Sequence, residues 1–257
     1  MDGNQKFYGA RIVRRRDIAA DLWSIRVQRD AEFHFLPGQY ATLGVLAPHK
    51  HIERPYSIVS SPYESELEFF FELVPRGELT PALHKLNVGD ELTMRKVAKG
   101  RFTLDPQVHR NHLLLCTVTG VAPFVSYIRT LSNDARQNKF PEGHRLFLLE
   151  GASRSWEFGY LEELKRIADE VPWFKYVPTV SRPWEDRNWT GEVGRVDDLI
   201  RKYTHLWELM PETTSAYLCG HPKMIDNSSG ILVRRGWAKE HIKEEIYFVP
   251  KEHATAI

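Results

Sequence analysis

The stretch that decides the fold is HLLLCTVTGVAPFVSYIRTL, residues 112–131. Residues 112–118 form a continuous apolar and β-branched run, which predicts a buried strand. Thr119 and Gly120 make a turn, and the helical run that follows begins at Pro123, where a missing N–H costs little. A helix start after a buried strand is suited to binding an anion. The turn is neither a G-x-G-x-x-G nor a Walker motif, so a plain structural turn explains it equally well.

Towards the C terminus this alternation of strand and helix continues. The predicted strands are residues 145–149, 174–177, 215–219 and 246–249, and the predicted helices are residues 160–171, 196–203 and 222–235. The first of these helices is amphipathic, with apolar residues three or four positions apart. Strands that alternate with helices predict a parallel sheet whose ligand sites lie at the carboxyl ends of the strands.

Upstream of residue 105 the strands are short, rich in β-branched and aromatic residues, and separated by Gly and Pro turns. They are residues 12–13, 22–27, 40–45, 56–59, 67–74 and 92–94, and residues 79–86 have helical spacing. This pattern favours an antiparallel barrel. With a linker at residues 105–111, we predict an N-terminal antiparallel β-barrel over residues 1–105 and a C-terminal α/β domain with a parallel sheet over residues 106–257.

The composition excludes several classes of protein. Lys and Arg total 35 and Asp and Glu 34, which argues against a chain built mainly to bind nucleic acid or anionic lipid. Two cysteines exclude a disulfide scaffold, a four-cysteine zinc site and an iron–sulfur cluster held by this chain alone. The eleven histidines lack metal-ligand spacing, and there is no G-x-S-x-G motif. Without a signal-peptide pattern or a run of roughly 20 apolar residues, we predict a cytoplasmic protein with no membrane partner.

Two motifs in the barrel half suggest a bound phosphate and a planar ring. In R-P-Y-S, residues 54–57, the guanidinium suits a phosphate, the tyrosine face suits a conjugated ring, and the hydroxyl can donate to a ring nitrogen. A strand that carries a surface arginine is the plain alternative. In G-E-L-T, residues 77–80, the free N–H groups of a helix start and the Thr80 hydroxyl suit a phosphate, but an ordinary N-cap explains them too.

The second half offers basic and aromatic candidates. Arg154, Arg182 and Arg195 follow predicted strands or open helices, so they could converge on one phosphate, although scattered surface arginines are the alternative. Tyr160 could stack on a purine. In C-G-H-P-K-M, residues 219–224, the strand–glycine–helix order recurs, and Cys219 is by default an apolar core residue.

Each motif is weak alone, but their order is specific. R-P-Y-S, G-E-L-T, T-V-T-G-V-A-P-F, S-R, C-G-H-P-K-M and a final E-I-Y follow one another along essentially the whole chain. In this order the sequence resembles the ferredoxin–NADP(+) reductase family, and its compact size resembles the bacterial flavodoxin/ferredoxin–NADP(+) reductases. The resemblance implies a barrel that binds FAD, an α/β domain that binds NADP(H), and electron exchange with ferredoxin or flavodoxin.

The resemblance also implies site residues. Those assigned to FAD are Arg54, Pro55, Tyr56, Ser57, Phe70, Gly77, Leu79, Thr80, Thr119 and Tyr247. Those assigned to NADP(H) are Gly120, Pro123, Arg154, Tyr160, Ser181, Arg182, Arg195, Gly220 and Met224. Those assigned to catalysis are Ser57, Cys219, Glu245 and Tyr247. In the family pattern the tyrosines of R-P-Y-S and E-I-Y cover the two flavin faces, and the three arginines read the 2′-phosphate.

Three departures from the family pattern stand out. Val118 occupies a position where this loop commonly has glycine. A Trp-rich insert, residues 183–189, lies between Arg182 and Arg195. Residues 248–257 follow Tyr247, and we expect this tail to fold back along the FAD adenine.

Two other functions remain open. One is an NADH-dependent oxygenase reductase or cytochrome b5 reductase-like enzyme, against which the three arginines argue. The other is a non-catalytic flavin redox sensor. We expect a monomer, with the basic run Arg14–Arg16 as a candidate docking surface for an acidic partner.

Overall fold

The computed structural model describes residues 6–47 and 50–246. The strands of the first sheet are β1 (Phe7–Asp17), β2 (Leu22–Gln28), β3 (Tyr40–Ala47), β4 (Lys50–Ser57), β5 (Glu66–Glu72) and β6 (Glu91–Arg95). They lie in the order β4-β3-β6-β1-β2-β5, and all neighbours are antiparallel. The outer strands β4 and β5 contact each other, and Val59 N–H donates to Glu68 O at 2.9 Å, which closes the sheet into the predicted barrel.

Strand β5 shows why this barrel joins a second domain. Its run Leu67–Phe71 is buried throughout, although one face of a barrel strand normally meets water. Phe69 and Phe71 point into the barrel core, whereas Phe70 belongs to a cluster formed with the second domain. Because successive side chains alternate between faces, five consecutive buried residues need cover on both sides.

The second domain contains a six-stranded parallel sheet. Its strands are β7 (Asn111–Thr117), β8 (Arg145–Ala152), β9 (Phe174–Val180), β10 (Glu192–Val193), β11 (Thr214–Gly220) and β12 (Ile242–Ile246). Their order is β10-β9-β8-β7-β11-β12. A short helix in the first domain is α1 (Thr80–Leu83), and those of the second are α2 (Ala122–Arg136), α3 (Leu161–Glu170), α4 (Val196–Leu206) and α5 (Pro222–Arg234).

The helices cover both faces of the parallel sheet. In β7, Leu114 and Cys116 pack with α2 and α3, whereas Leu113 and Leu115 pack with α4 and α5. Each residue of the strand therefore enters one of two cores, which is the physical origin of its continuous apolar run. The predicted fold class, an antiparallel barrel followed by an α/β domain with a parallel sheet, is confirmed.

Several element boundaries differ from the predictions. Strand β1 has 11 residues where only residues 12–13 were expected, because charged side chains on its outer face hide the alternation. Strand β4 begins at Lys50, six residues before the predicted strand at residues 56–59, for the same reason. Helix α1 is a single turn. The last described strand covers Ile242–Ile246, where residues 246–249 were expected, and residues 247–249 lie outside the described residues.

Buried ion pairs fix the two domains against each other. Arg129 on α2 contacts Glu68 on β5 at 2.8 Å and Glu163 on α3 at 2.7 Å. Glu68, whose side chain is 5% exposed, also contacts Arg26 at 2.7 Å and accepts a 2.9 Å hydrogen bond from the Tyr160 hydroxyl. A buried carboxylate with several partners is costly to unpair, so this network sets the position of the barrel on the sheet.

Candidate active site

Two glycines bring the carboxyl ends of β7 and β11 into contact. A Cβ at Gly120 would lie 2.3 Å from the carbonyl oxygen of Cys219. Gly220 has a φ of 129°, and a Cβ there would lie 2.5 Å from Thr117 Oγ1. The same hydroxyl accepts a 3.1 Å hydrogen bond from His221 N–H. Only glycine allows this close approach, so both strand–glycine–helix motifs serve one junction.

Helix α2 begins at this junction. Its start follows a single turn of 3-10 helix, Val118–Val121, and Pro123 lies in its first turn as predicted. Thr119 is 8% exposed. Val118 has a φ of 44°, a left-handed conformation that is strained for a β-branched residue and natural for glycine. Glycine would adopt this backbone conformation without strain, whereas this chain carries valine.

Ser57 and Glu245 meet across the two domains. Ser57 ends β4 and is 5% exposed, and its hydroxyl donates a 2.7 Å hydrogen bond to Glu245 Oε1. Glu245 lies on β12, where Cys219 of β11 is its register partner. Burial raises the pKa of Glu245 above its ordinary value, and the hydrogen bond from Ser57 partly offsets this rise. Three of the four predicted catalytic residues therefore lie together, while Tyr247 lies outside the described residues.

The rest of R-P-Y-S follows β4 outward from Ser57. Arg54 and Pro55 are exposed, and the Arg54 guanidinium donates to Glu53 O at 2.7 Å and contacts Glu78 at 3.4 Å. The Tyr56 ring packs against Phe71, with 4.8 Å between ring centroids, and stays partly accessible. A cation, an aromatic face and a hydroxyl thus line one strand in the order that the motif predicted.

The G-E-L-T segment uses within the protein the hydrogen-bonding groups that were predicted to bind a phosphate. Leu79 and Thr80 are buried, and the Thr80 hydroxyl accepts a hydrogen bond from Val74 N–H at 3.0 Å. Gly77 N–H donates to Val74 O at 2.8 Å. Since α1 has 4 residues, it has too little aligned dipole to act as an anion site. In this structure the turn at residues 74–77 uses these groups, and the assignment of the Thr80 hydroxyl and the helix start to a phosphate stays a prediction.

The predicted 2′-phosphate arginines lie at the carboxyl edge of the parallel sheet, but they have acidic partners. Arg154 contacts Glu157 at 3.0 Å and Glu185 at 2.5 Å, and Arg182 lies 3.8 Å from Glu185. Ser181 N–H donates to Ala152 O at 3.0 Å, which joins the loops after β8 and β9.

Arg195 immediately precedes α4. Its guanidinium contacts Asp197 at 3.1 Å, and its backbone N–H donates to Asp198 at 3.3 Å. The predicted cluster of cations is thus charge-compensated within the protein itself.

Three predicted cofactor contacts are core residues. Tyr160 is 3% exposed, donates to Glu68, and packs edge-on against Phe70 with 5.4 Å between ring centroids. Phe70 is 4% exposed in the same contact. Met224 is 2% exposed in the core beneath α4 and α5. In this structure packing of the domains and helices covers these side chains, and the assignments of Tyr160 to purine stacking and of Phe70 and Met224 to cofactor contacts stay predictions.

A buried acid was missed by sequence reasoning. Glu150 on β8 is fully buried and accepts a 2.5 Å hydrogen bond from the Tyr176 hydroxyl. Burial raises the pKa of Glu150 to about 8, with the Tyr176 hydrogen bond opposing the rise. The only signal in the sequence is one acidic residue at the end of an apolar strand.

Comparisons with known proteins agree with this architecture. Residues 10–103 match a family described as "Oxidoreductase FAD-binding domain", and residues 114–229 match "Oxidoreductase NAD-binding domain". A ferredoxin–NADP reductase from Pseudomonas aeruginosa is 31% identical over 227 residues, which cover 82% of this chain and 83% of the relative. A ferredoxin–NADP(+) reductase structure from Neisseria gonorrhoeae, with bound FAD and NADP, has a TM-score of 0.82 and 25% identity, covering 95% of this chain and 100% of that one.

A more distant relative belongs to an oxygenase system. The phenol hydroxylase P5 protein of Acinetobacter pittii is 28% identical, with 96% of this chain and 67% of the relative covered. Within residues 6–47 and 50–246 no helix is long and apolar enough to cross a membrane. In the same ranges no group of three His, Cys, Asp or Glu residues could hold a metal ion.

Proposed function

Because the chain belongs to the ferredoxin–NADP reductase family, we propose that it is an FAD-dependent ferredoxin (flavodoxin)–NADP(+) reductase. Such an enzyme exchanges a hydride with NADP(H) and single electrons with a small redox protein. The observation that carries the proposal is the 2.7 Å hydrogen bond between Ser57 and Glu245, which joins the FAD-binding half to the nucleotide-binding half.

The residues of the barrel fit FAD. An exposed arginine suits a phosphate, and a tyrosine ring with an accessible part suits a planar ring system, and both lie on the strand that ends at Ser57. Bound FAD supplies the conversion between two-electron and one-electron transfer. In this assignment Arg54 holds the phosphate, Tyr56 supports the ring system, and the backbone around Gly77 borders the pyrophosphate.

Ser57 and Glu245 control a proton at the centre of this site. The Ser57 hydroxyl points at the Glu245 carboxylate, so its orientation is fixed before any substrate arrives. Because burial raises the pKa of Glu245, this carboxyl takes up a proton more readily than an exposed glutamate does. The pair therefore holds and releases a proton beside the groups that exchange electrons, and the buried Cys219 is the register partner of Glu245 on the adjoining strand.

The basic run Arg14–Arg16 is a poor docking surface. Arg15 donates to His84 O at 2.7 Å and contacts Asp17 at 2.8 Å. Arg16 donates to Gly159 O at 2.8 Å. Arg14 lies 3.3 Å from Glu66, so each of the three guanidinium groups already has a carboxylate or carbonyl partner.

A second basic segment, Lys96 to Arg101, is better placed for an acidic ferredoxin or flavodoxin. Lys96, Lys99 and Arg101 are exposed, and the exposed Val97 lies among them. Tyr40 pairs with Lys99 on one side and with Ser57 on the other. Two strand spacings, about 10 Å, thus separate the backbones of Lys99 and Ser57. We expect Lys99→Glu to slow reduction of ferredoxin at low ionic strength and to leave the reaction with NADPH unchanged.

A stopped-flow experiment tests the function. The FAD-loaded protein is mixed with NADPH or NADH, loss of flavin absorbance is followed, and ferredoxin or flavodoxin is then added. Faster bleaching by NADPH, followed by reduction of the added protein, supports the proposal. No bleaching by either nucleotide would point to a redox sensor. A preference for NADH would point to an oxygenase reductase, the alternative suggested by the phenol hydroxylase relative.

A further inference from the structure

The Trp-rich insert is anchored beside the proposed nucleotide site. Asp186 accepts a 3.2 Å hydrogen bond from Ser155 N–H, in the loop after β8. Trp189 packs on Phe158 with 5.6 Å between ring centroids, and its indole N–H donates to Glu192 O at 2.8 Å. Because Asp186 and Trp189 are attached to the domain, the insert holds its remaining side chains in defined positions.

Glu185 of this insert bridges two arginines. One carboxylate oxygen lies 2.5 Å from the Arg154 guanidinium, and the other lies 3.8 Å from Arg182. Glu157 also contacts Arg154 at 3.0 Å, but its second oxygen accepts a 2.7 Å hydrogen bond from Ser153 N–H. Glu157 is therefore tied to the backbone, whereas the contacts of Glu185 are with the two guanidinium groups.

We propose that Glu185 is a specificity-determining residue whose carboxylate competes with the 2′-phosphate of NADP(H) for Arg154 and Arg182. This rests on the proposed function and on the sequence-based assignment of these two arginines to the 2′-phosphate. A phosphate monoester carries about −1.5 to −2 charges at pH 7. The carboxylate cancels one of the two positive charges that the arginine pair offers. A 2′-phosphate has to displace the Glu185 carboxylate, whereas the 2′-hydroxyl of NAD(H) leaves it in place. Glu185 therefore reduces the preference of the protein for NADP(H) over NAD(H).

The exposure of the three side chains sets the size of the effect. Glu185 is 35% exposed, Arg154 27% and Arg182 49%. At such partly exposed positions an ion pair contributes modestly, so the carboxylate can rotate into water at a small cost. We therefore expect removal of its charge to tighten binding of a 2′-phosphate by roughly threefold to fivefold.

The experiment compares two ligands that differ only in the 2′-phosphate. Adenosine 2′,5′-bisphosphate and 5′-AMP are titrated calorimetrically into the FAD-loaded wild type, Glu185→Gln, Arg154→Gln and Glu170→Gln. Glu170, on α3, contacts Arg166 at 2.9 Å and is the matched control for loss of one carboxylate from an exposed ion pair. We expect Glu185→Gln to lower the Kd of the bisphosphate at least threefold, with 5′-AMP unchanged, and Glu170→Gln to change neither.

The remaining outcomes separate the two hypotheses. If Arg154→Gln weakens the bisphosphate but Glu185→Gln leaves it unchanged or weakens it, competition by Glu185 is refuted and the proposed function stands. An equal gain for 5′-AMP also refutes competition, because the effect would not concern the 2′-phosphate. If Arg154→Gln binds the bisphosphate as well as the wild type does, the arginine assignment fails and the role of Glu185 fails with it. The bleaching of FAD by NADPH then tests the proposed function independently.

Discussion

Replacing Ser57 by alanine perturbs one titration at the centre of the site. The substitution removes the 2.7 Å hydrogen bond to Glu245. Burial raises the pKa of Glu245 and this hydrogen bond lowers it, so the pKa rises further in Ser57→Ala. A hydrogen bond to a charged group contributes about 1.5–3 kcal/mol. One pH unit corresponds to about 1.4 kcal/mol, so the expected rise is roughly one to two pH units.

The assay is the rate of flavin bleaching by NADPH as a function of pH. The limb of the profile that reports Glu245 should move to higher pH in Ser57→Ala by that amount. Stability supplies a second measure. A carboxyl whose pKa is raised on folding stabilises the protein below its unfolded pKa, near 4.5, and this stabilisation is lost as the pH rises through the folded pKa. Urea unfolding should therefore show Ser57→Ala losing stability, relative to wild type, as the pH rises through the folded pKa of Glu245 in wild type.

Glu245→Gln is the control, because it removes the titrating group. In that background Ser57→Ala should leave the position of any remaining limb unchanged. A limb that stays at the wild-type pH in Ser57→Ala would refute the coupling between the two residues. A shift that persists in the double variant would assign the limb to another group.

Three further predictions concern residues outside this pair. Val118 has a φ of 44°, which costs a residue with a Cβ about 1–2 kcal/mol, while glycine elsewhere is less stable than alanine by about 0.5–1 kcal/mol. In urea unfolding, the free energy of unfolding of Val118→Gly should thus exceed that of Val118→Ala by roughly 0.5–1 kcal/mol. The opposite order would contradict this backbone conformation. Burial raises the pKa of Glu150 from 4.5 to about 8. The stability of wild type should therefore fall relative to that of Glu150→Gln as the pH rises across that interval. A constant difference in stability would argue against a buried titrating acid. Arg129→Ala leaves Glu68 buried with fewer partners and should lower the free energy of unfolding by about 3 kcal/mol. Arg166→Ala, in an exposed ion pair, should lower it by about 0.5 kcal/mol or less. Equal losses would exclude a special role for the domain contact.

The glycine junction and the motif order could be predicted from the sequence because they depend on local chemistry. Gly120 and Gly220 each follow an apolar strand and precede a helix, and the structure brings them to one edge of the sheet. Arginine, tyrosine and serine on one strand indicate a phosphate and a ring whatever the rest of the chain does.

The contacts that the sequence did not predict have a different origin. Tyr160 follows a strand and precedes an amphipathic helix, so nothing local distinguishes a ligand-facing ring from a buried one. Its burial follows from the packing of Phe70 and Glu68 of the barrel against the second domain. For Thr80, a tight turn at residues 74–77 uses the hydroxyl that the motif offered to a phosphate.

By itself the sequence determined the alternation of strands and helices, the two-domain fold class and the residue types of the site, because periodicity and glycine conformations act over a few positions. Only the tertiary structure decided that Ser57 meets Glu245, 188 residues away, and that Glu185 lies between Arg154 and Arg182. Such contacts depend on how barrel, sheet and insert pack together. The packing free energy comes from contacts between residues that are far apart in the sequence, so no local sequence pattern predicts it.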